Sequence, residues 1–426
     1  MHSPKDTPFW WEAAQPQTAE RGPLPLRVDV VIVGAGYAGL GAAIPLARSG
    51  RRVVVLDRML PGEGASTRNG GITSGNIRWS FAQLKSTFGV NKARAVYSEQ
   101  IAARADLHDF IRANDIQCYF QPVGRFAGAL TPRLFDGQKR EAELLHREMG
   151  IESRIVERAD QHSQIGSDRY FGGVHRPDMA GLHPARFHQE MARIASQAGA
   201  DITGNTGVEH IRHKGKLFEI STTRGTICAD DVIVATNGYT DHGTPWLRRR
   251  LVPVVSEIIA TEPLEPELMD RLMPGRQMYS ETRQLAHYFR PSPDGRRIIF
   301  GGRRYHNDPV TAREILRRQM LRVFPALNDV RISHHWFGYV AYPTDQLPKL
   351  AVKDGIHYAA GFCGSGVVWA RWMGQKAANR ILMRDSVETA FVAPFRAIPF
   401  YRGKPWFLPG MIGWYNFQDW RAGVKW

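Results

Sequence analysis

The chain has 426 residues, 43% apolar and 23% charged, a length and balance that fit a soluble globular protein of two closely joined domains. No segment reaches the roughly 18 consecutive apolar residues of a membrane-spanning helix, and three scattered cysteines (Cys118, Cys228, Cys363) exclude a disulfide framework or a cysteine zinc site and point to a reducing, cytoplasmic setting. The formal net charge of +15 permits an anionic substrate, nucleic acid or an acidic membrane surface and selects none of them.

Residues 1–25, rich in proline and aromatics and without the apolar centre of a secretory signal, predict an arm laid over the body and anchored by Phe9, Trp10 and Trp11. Val28–Val33 reads as a strand buried on both faces. Gly34, Gly36 and Gly39 follow as G-x-G-x-x-G at a strand-to-helix turn, with Tyr37 and Ala38 inside it. Gly34 permits the tight turn, Gly36 lets the backbone approach a pyrophosphate, and Gly39 lets the helix pack against the strand, while the helix N-terminus offers N–H groups to phosphate. Pro45 removes one backbone bond inside that helix and predicts a kink or an early end. A second apolar run, Val53–Leu56, ends on Asp57, placed to accept from a ribose diol. The competing reading is a glycine-rich turn in a flavodoxin-like fold with no dinucleotide.

The loop Pro61–Arg78, full of glycine and small polar residues, suits backbone wrapped around a ligand. Phe81–Met149 has helical spacing throughout and predicts a helical hairpin interrupting the first domain. A helix over His183–Ala198 leads to Ile202, a meander including Phe218–Thr222, and an apolar strand ending in Ala235-Thr236-Asn237-Gly238. Pro253–Gly302 alternates apolar and polar residues, with runs at Gln284–Phe289 and Arg297–Phe300, and predicts an antiparallel sheet. Thr311–Val323 is an amphipathic helix. Gly338–Val352 gives strand and turn, and His357–Leu382 repeats strand, glycine turn and helix. The tail from Glu388 is proline-, aromatic- and arginine-rich with no repeat. His334 and His335 are strand neighbours on opposite faces with no third ligand, so no metal site is expected.

VGAGYAGL, GASTRNGG, ATNGYT and AAGFCGSGV, in that order and nearly spanning the chain, resemble the D-amino-acid oxidase superfamily of FAD-dependent oxidoreductases, and GASTRNGG with the FWWEAA arm is most similar to its γ-glutamylputrescine oxidoreductase branch. The resemblance implies an α/β fold: a Rossmann-like FAD-binding domain of the glutathione-reductase type (1–85, 155–240, 330–426) and an antiparallel-sheet substrate-binding domain (86–154, 241–329). It implies FAD contacts from Gly34, Gly36, Tyr37, Ala38, Gly39, Asp57 and Arg58. Further contacts are implied at Ser66, Thr67, Arg68, Asn69, Gly70, Gly71, Val208, Thr236, Asn237 and Gly238. Gly361, Gly364, Ser365, Gly366 and Val367 would lie at the flavin pyrimidine edge, where a helix N-terminus stabilises charge on reduced flavin.

Three departures from the family pattern matter. Val340 stands where glycine oxidase-like members carry a carboxylate-binding arginine, which favours an amine or a distal carboxylate over a simple α-amino acid. Ile299 stands where sarcosine oxidase-like members have an oxygen-activating lysine. Gly338 replaces their flavin-linking cysteine, so FAD is expected to be non-covalent. The implied function is oxidation of the C–N bond of an amine or N-substituted amino acid to an imine, hydrolysed to a carbonyl, with oxygen regenerating the flavin. His287, Tyr288 and Arg290 are the expected substrate-side residues, with Arg290 and Arg303 as anion anchors. Trp336 and Trp369 are expected to pack in the core. One alternative is a dehydrogenase peripheral to the inner membrane, feeding a quinone and docked through the basic, aromatic tail Phe395–Trp426. A minor alternative is a tRNA-modifying flavoenzyme, although no contiguous basic-aromatic stripe is present and no nucleic-acid partner is expected.

Overall fold

The computed structural model describes residues 3–17, 22–304, 306–383 and 387–425. In the arm, Phe9–Glu12 form a short 3-10 turn that buries Trp10 completely. Strand β1 (Arg27–Val33), helix α1 (Tyr37–Arg48) and strand β2 (Val53–Leu56) follow as expected. Pro45 lies in the last turn of α1, which stops soon after it at Arg48. Within the glycine-rich loop only one turn, α2 (Ala65–Arg68), is regular. Helix α3 (Phe81–Phe88) opens on a capping box between Ser80 and Gln83. Helix α4 (Val90–Ala113) and helix α5 (Pro132–Met149) complete the helical stretch.

Between α4 and α5 the chain departs from the all-helical reading, because strand β3 (Arg125–Gly128) is inserted there. Four residues are too few to show a period of two, and β3 exists because partners on both sides supply its hydrogen bonds. The chain continues through β4 (Arg154–Val156), β5 (Gly173–Arg176), α6 (Pro184–Gln197) and β6 (Asp201–Thr203). The meander β7 (Val208–Lys214), β8 (Leu217–Thr222) and β9 (Gly225–Val234) then precedes the short helix α7 (Pro245–Arg248). Next come β10 (Val252–Thr261), α8 (Pro266–Leu272), β11 (Met278–Glu281), β12 (Tyr288–Pro291), β13 (Ile298–Arg303) and α9 (Pro309–Val323). The last elements are β14 (Ile332–Tyr342), β15 (Lys349–Lys353), β16 (Ile356–Ala360), α10 (Gly366–Met383) and α11 (Leu408–Arg421).

Two sheets result. The first runs β15-β16-β9-β1-β2-β6, with β1 parallel to both β2 and β9, and β8 and β7 joined beyond β9. Its strands alternate faces: Val30 and Ile32 enter a core with α1, α4, α6 and α10, whereas Val31 and Val33 enter a separate core with the meander. The second runs β14-β10-β13-β12-β11-β3-β5-β4 and is antiparallel except where β3 lies parallel to β11. A core that includes Leu316 and Met320 of α9 backs it.

Helices α1 and α10 touch backbone to backbone. A Cβ on Gly374 would lie 2.0 Å from the Ala38 carbonyl oxygen, and one on Gly41 would lie 2.7 Å from that of Arg371. Glycine at both places lets the two helices cross closely and brings both N-termini to one crevice beside the C-terminal end of β1.

Candidate active site

The crevice begins where β1 ends. Gly34 adopts φ +107°, a left-handed conformation, and a Cβ there would lie 3.0 Å from the Ala235 carbonyl oxygen. On Gly36 a Cβ would meet Ser66 Oγ at 2.8 Å, and on Gly39 it would fall 1.8 Å from the Gly34 carbonyl oxygen. Gly36 caps α1 without a side-chain acceptor, leaving the helix end to a ligand, except that Ser66 Oγ accepts the Tyr37 N–H at 2.9 Å. Asp57 pins the turn: its carboxylate accepts the Ala35 N–H at 2.8 Å and the Met59 N–H at 3.0 Å. Burial raises the Asp57 carboxyl above the usual range, and those two donors oppose the rise.

Of the residues expected at FAD, one crevice gathers Gly34, Gly36, Tyr37, Ala38, Asp57, Arg58, Ser66, Asn69, Val208, Thr236, Asn237, Gly364, Gly366 and Val367. Arg68, Gly70 and Ser365 line the adjoining cavity instead. Gly39, Thr67, Gly71, Gly238 and Gly361 stand behind the walls. Thr67 donates to the Gly62 carbonyl at 2.6 Å, the Gly71 N–H donates to Asn69 Oδ1 at 2.8 Å, and a Cβ on Gly238 would lie 2.7 Å from the Tyr339 carbonyl oxygen. The Gly361 N–H donates to Asn237 Oδ1 at 2.9 Å, tying the ATNGYT turn to the AAGFCGSGV turn. Sequence reasoning passed over Tyr239 and Tyr339, whose rings meet edge-on at 5.4 Å in the crevice wall. A glycine cradle that no Cβ could enter, an uncapped helix end and an acid after β2 fit a dinucleotide such as FAD.

Three tryptophans hold the loop that lies between the crevice and the neighbouring cavity. The indole N–H of Trp10 donates to the Asn69 carbonyl at 2.8 Å, that of Trp11 to Thr67 Oγ1 at 2.8 Å, and that of Trp336 to the Arg68 carbonyl at 2.9 Å. Arg68 also stacks its guanidinium 4.6 Å from the Trp11 ring centre. The arm thus braces the site. Trp369, by contrast, is a core residue whose N–H donates to the Gly75 carbonyl at 2.8 Å.

Next to the crevice, and sharing Asn69, Tyr339, Val340 and Gly364 with it, lies a cavity of about 300 Å³ between the loop, α10 and the second sheet. Arg68, Arg78, Arg125, Arg303 and His287 line it, and among the described residues no aspartate or glutamate does. Burial presses Arg125 down to about 10, with the nearby Arg176 adding to the effect, so Arg125 remains a cation at neutral pH. His287 Nδ1 lies 2.7 Å from Glu281 Oε1 beneath the cavity. Burial alone would raise the Glu281 carboxyl, but His287 and Arg283 hold it below the usual range. Tyr288 Oη is 3.2 Å from Ser256 Oγ, and burial raises its pKa, keeping the phenol protonated.

His287 and Tyr288 are therefore at the cavity, and Arg290 is not among its lining residues. Two positions along β12, Arg290 is fully buried and donates to the carbonyls of Leu182 (2.8 Å), Pro291 (3.0 Å) and Gly71 (3.1 Å) and to Gln121 Oε1 (2.8 Å). Burial lowers it to about 10, still a cation, and those acceptors engage four of its five N–H groups. Arg303 does line the cavity, donating to Tyr342 Oη. Val340 and Gly338 line it too, whereas Ile299 is buried with Trp10 and Trp336. Cys363 lines it with φ +51°, and burial raises its thiol. Among the described residues no cluster of His, Cys, Asp or Glu could hold a metal ion, and no helix is long and apolar enough to cross a membrane.

The chain is 31% identical over 426 residues to the probable oxidoreductase OrdL of Rhizobium meliloti (strain 1021), covering 96% of this chain and 97% of that protein. It is 27% identical over 402 residues to the γ-glutamylputrescine oxidoreductase of Escherichia coli (strain K12), covering 93% of each. Among solved structures, glycine oxidase from Geobacillus kaustophilus superposes with a TM-score of 0.73 at 20% identity, covering 88% of this chain and 99% of that one. The family model described as FAD dependent oxidoreductase (DAO) matches residues 29–380. That match spans most of the chain and includes every wall of the crevice, so the protein belongs to the FAD-dependent oxidoreductase family, an enzyme whose cofactor is FAD.

Proposed function

We propose that this enzyme oxidises the C–N bond of an amine or N-substituted amino acid to an imine, which water hydrolyses to a carbonyl compound and an amine or ammonia. FAD, when bound without a covalent link, supplies the hydride acceptor. The observation that carries the reading is the acid-free cavity, lined by four arginines, that adjoins the crevice at Asn69, Tyr339 and Gly364. Those cations do two things to a substrate. They hold an anionic group, and they disfavour a nearby ammonium, so the amine binds with its lone pair free. The E. coli relative is named for an amine whose carboxylate lies many bonds from its terminal nitrogen, and Val340, with no charge to offer an adjacent carboxylate, supports the same class here.

Oxygen is the acceptor in this reading. A second reading, transfer to a quinone at a membrane surface, is favoured by one feature: Trp406, Trp414, Phe417 and Trp420 are exposed on and beside α11. Trp426, which would end that surface, lies outside the described residues. The test of the proposed reaction is anaerobic mixing of the yellow holoenzyme with a panel of amines. Bleaching of the flavin supports it, and no bleaching by any amine contradicts it. Re-oxidation that is slow in oxygen but fast with a soluble quinone, together with sedimentation on anionic vesicles, would transfer the acceptor role to quinone.

A further inference from the structure

Beyond the substrate cavity, under α11, lies a second cavity of about 900 Å³. The two have Arg78 and Arg303 in common, so these two side chains form the neck between them. One wall is β10, with Val254 inward, and the other is a stripe on α11 made by Leu408, Met411 and Ile412. Among the described residues no aspartate or glutamate lines this outer cavity either.

The neck arginines differ from Arg304, the other arginine of the outer wall, which pairs with Glu257 at 2.7 Å. Arg78 donates instead to the Gln284 carbonyl at 2.9 Å and Arg303 to Tyr342 Oη, and neither has a carboxylate partner among the described residues. Two cations without carboxylate partners, between a small cavity of mixed polarity and one three times as large and mainly apolar, match a ligand with an anion in its middle and an apolar end. Helix α11 is fixed over the outer cavity, since the buried Asp419 accepts the Gln284 N–H at 3.0 Å.

We infer that the outer cavity is a subsite for an apolar part of the substrate. The substrate reaches inward with its amine, its carboxylate stops at Arg78 and Arg303, and an alkyl or aryl group beyond the carboxylate lies under α11. This rests on the amine-oxidising reading above and narrows the substrate class to amphiphilic amines.

The experiment uses the FAD-loaded enzyme and two acids that cannot be oxidised, butyrate and phenylbutyrate. Binding is read from the perturbed flavin spectrum and, independently, from the rise in Tm. Phenylbutyrate is expected to bind at least about tenfold more tightly, because its ring leaves water for the outer cavity. Filling that cavity from opposite sides, with Ile412→Trp or Val254→Phe, is expected to bring phenylbutyrate back to the affinity of butyrate. Equal affinity for the two acids in the unmodified enzyme, or a preference that survives both fillings, overturns the inference. If short amines bleach the flavin and phenylbutyrate has no advantage, the subsite fails and the reaction stands. If phenylbutyrate has its advantage and no amine bleaches, the ligand class stands and the reaction fails.

Discussion

The cofactor crevice and the substrate cavity meet at Tyr339 and Gly364, and they are built in different ways. The crevice is made mainly of backbone: a left-handed Gly34, a bare helix end and close helix crossings that leave no room for a Cβ. The cavity takes its charge and its hydrogen-bonding groups from side chains: Arg68 and Arg78 of the glycine-rich loop, Arg125 of β3, Tyr288 of β12, Arg303 of β13 and Tyr339 of β14. Backbone demands restrict residue type at fixed spacing, so glycine positions carry information in the sequence itself. An arginine can be a surface residue, a structural clamp or a ligand anchor, and only its surroundings decide which.

That contrast can be broken first at Gly39. Gly39→Val puts carbon where the Gly34 carbonyl lies, so α1 must leave β1; a cost above about 3 kcal/mol and loss of bound flavin are expected, read from Tm and the flavin-to-protein ratio. The substrate cavity should respond in turnover and not in folding. Arg303→Gln is expected to lower kcat/KM for an anionic amine about ten- to hundredfold, the cost of one charge-assisted hydrogen bond, with FAD content kept. Arg290→Gln should reverse that pattern, lowering Tm by unmaking bonds to buried carbonyls while leaving KM in place. Asp57→Ala is expected to weaken FAD binding by about 1–3 kcal/mol through the loosened turn, measured by flavin titration of apoprotein.

The smallest effect concerns pH. Burial, with Arg186 and Arg290 adding to it, lowers His183 to about 4, and its Nδ1 accepts the Arg186 N–H to cap α6. The unfolded chain takes up a proton near the ordinary histidine range and the folded one does not, so this stability is present above that range and lost as pH falls toward 4. Between about pH 7 and pH 5 the loss is about 1–2 kcal/mol. His183→Asn, which keeps a capping acceptor and removes the titration, should flatten that part of the Tm profile.

The first strand, glycine turn, helix and acid were legible because each obeys a local rule. Helices α6, α9 and α10 were legible by their spacing. Strand β3 was not, since its four residues become a strand only through β11 and β5. The α11 stripe Leu408, Met411, Ile412 and Tyr415 does follow helical spacing, but Pro405, Pro409 and the surrounding aromatics hide it in a tail without repeats. Arg290 and Arg303 looked equivalent on one predicted sheet; the structure separates them because the loop carbonyls of Gly71 and Leu182 reach Arg290, while Arg303 ends beside Gly364. The indole clamp of Trp10, Trp11 and Trp336 joins residues more than 50 positions apart, beyond any local pattern.

The most direct test of the central claim, that this cavity oxidises an amine whose anion is held away from the reacting nitrogen, is relative kcat/KM for glycine, sarcosine and an N-acylated diamine with a distal carboxylate. The acylated diamine is expected to be the best substrate and glycine the poorest, because Val340 leaves no cation for an adjacent carboxylate and Arg303 offers one farther out. Glycine as the preferred substrate would contradict the account.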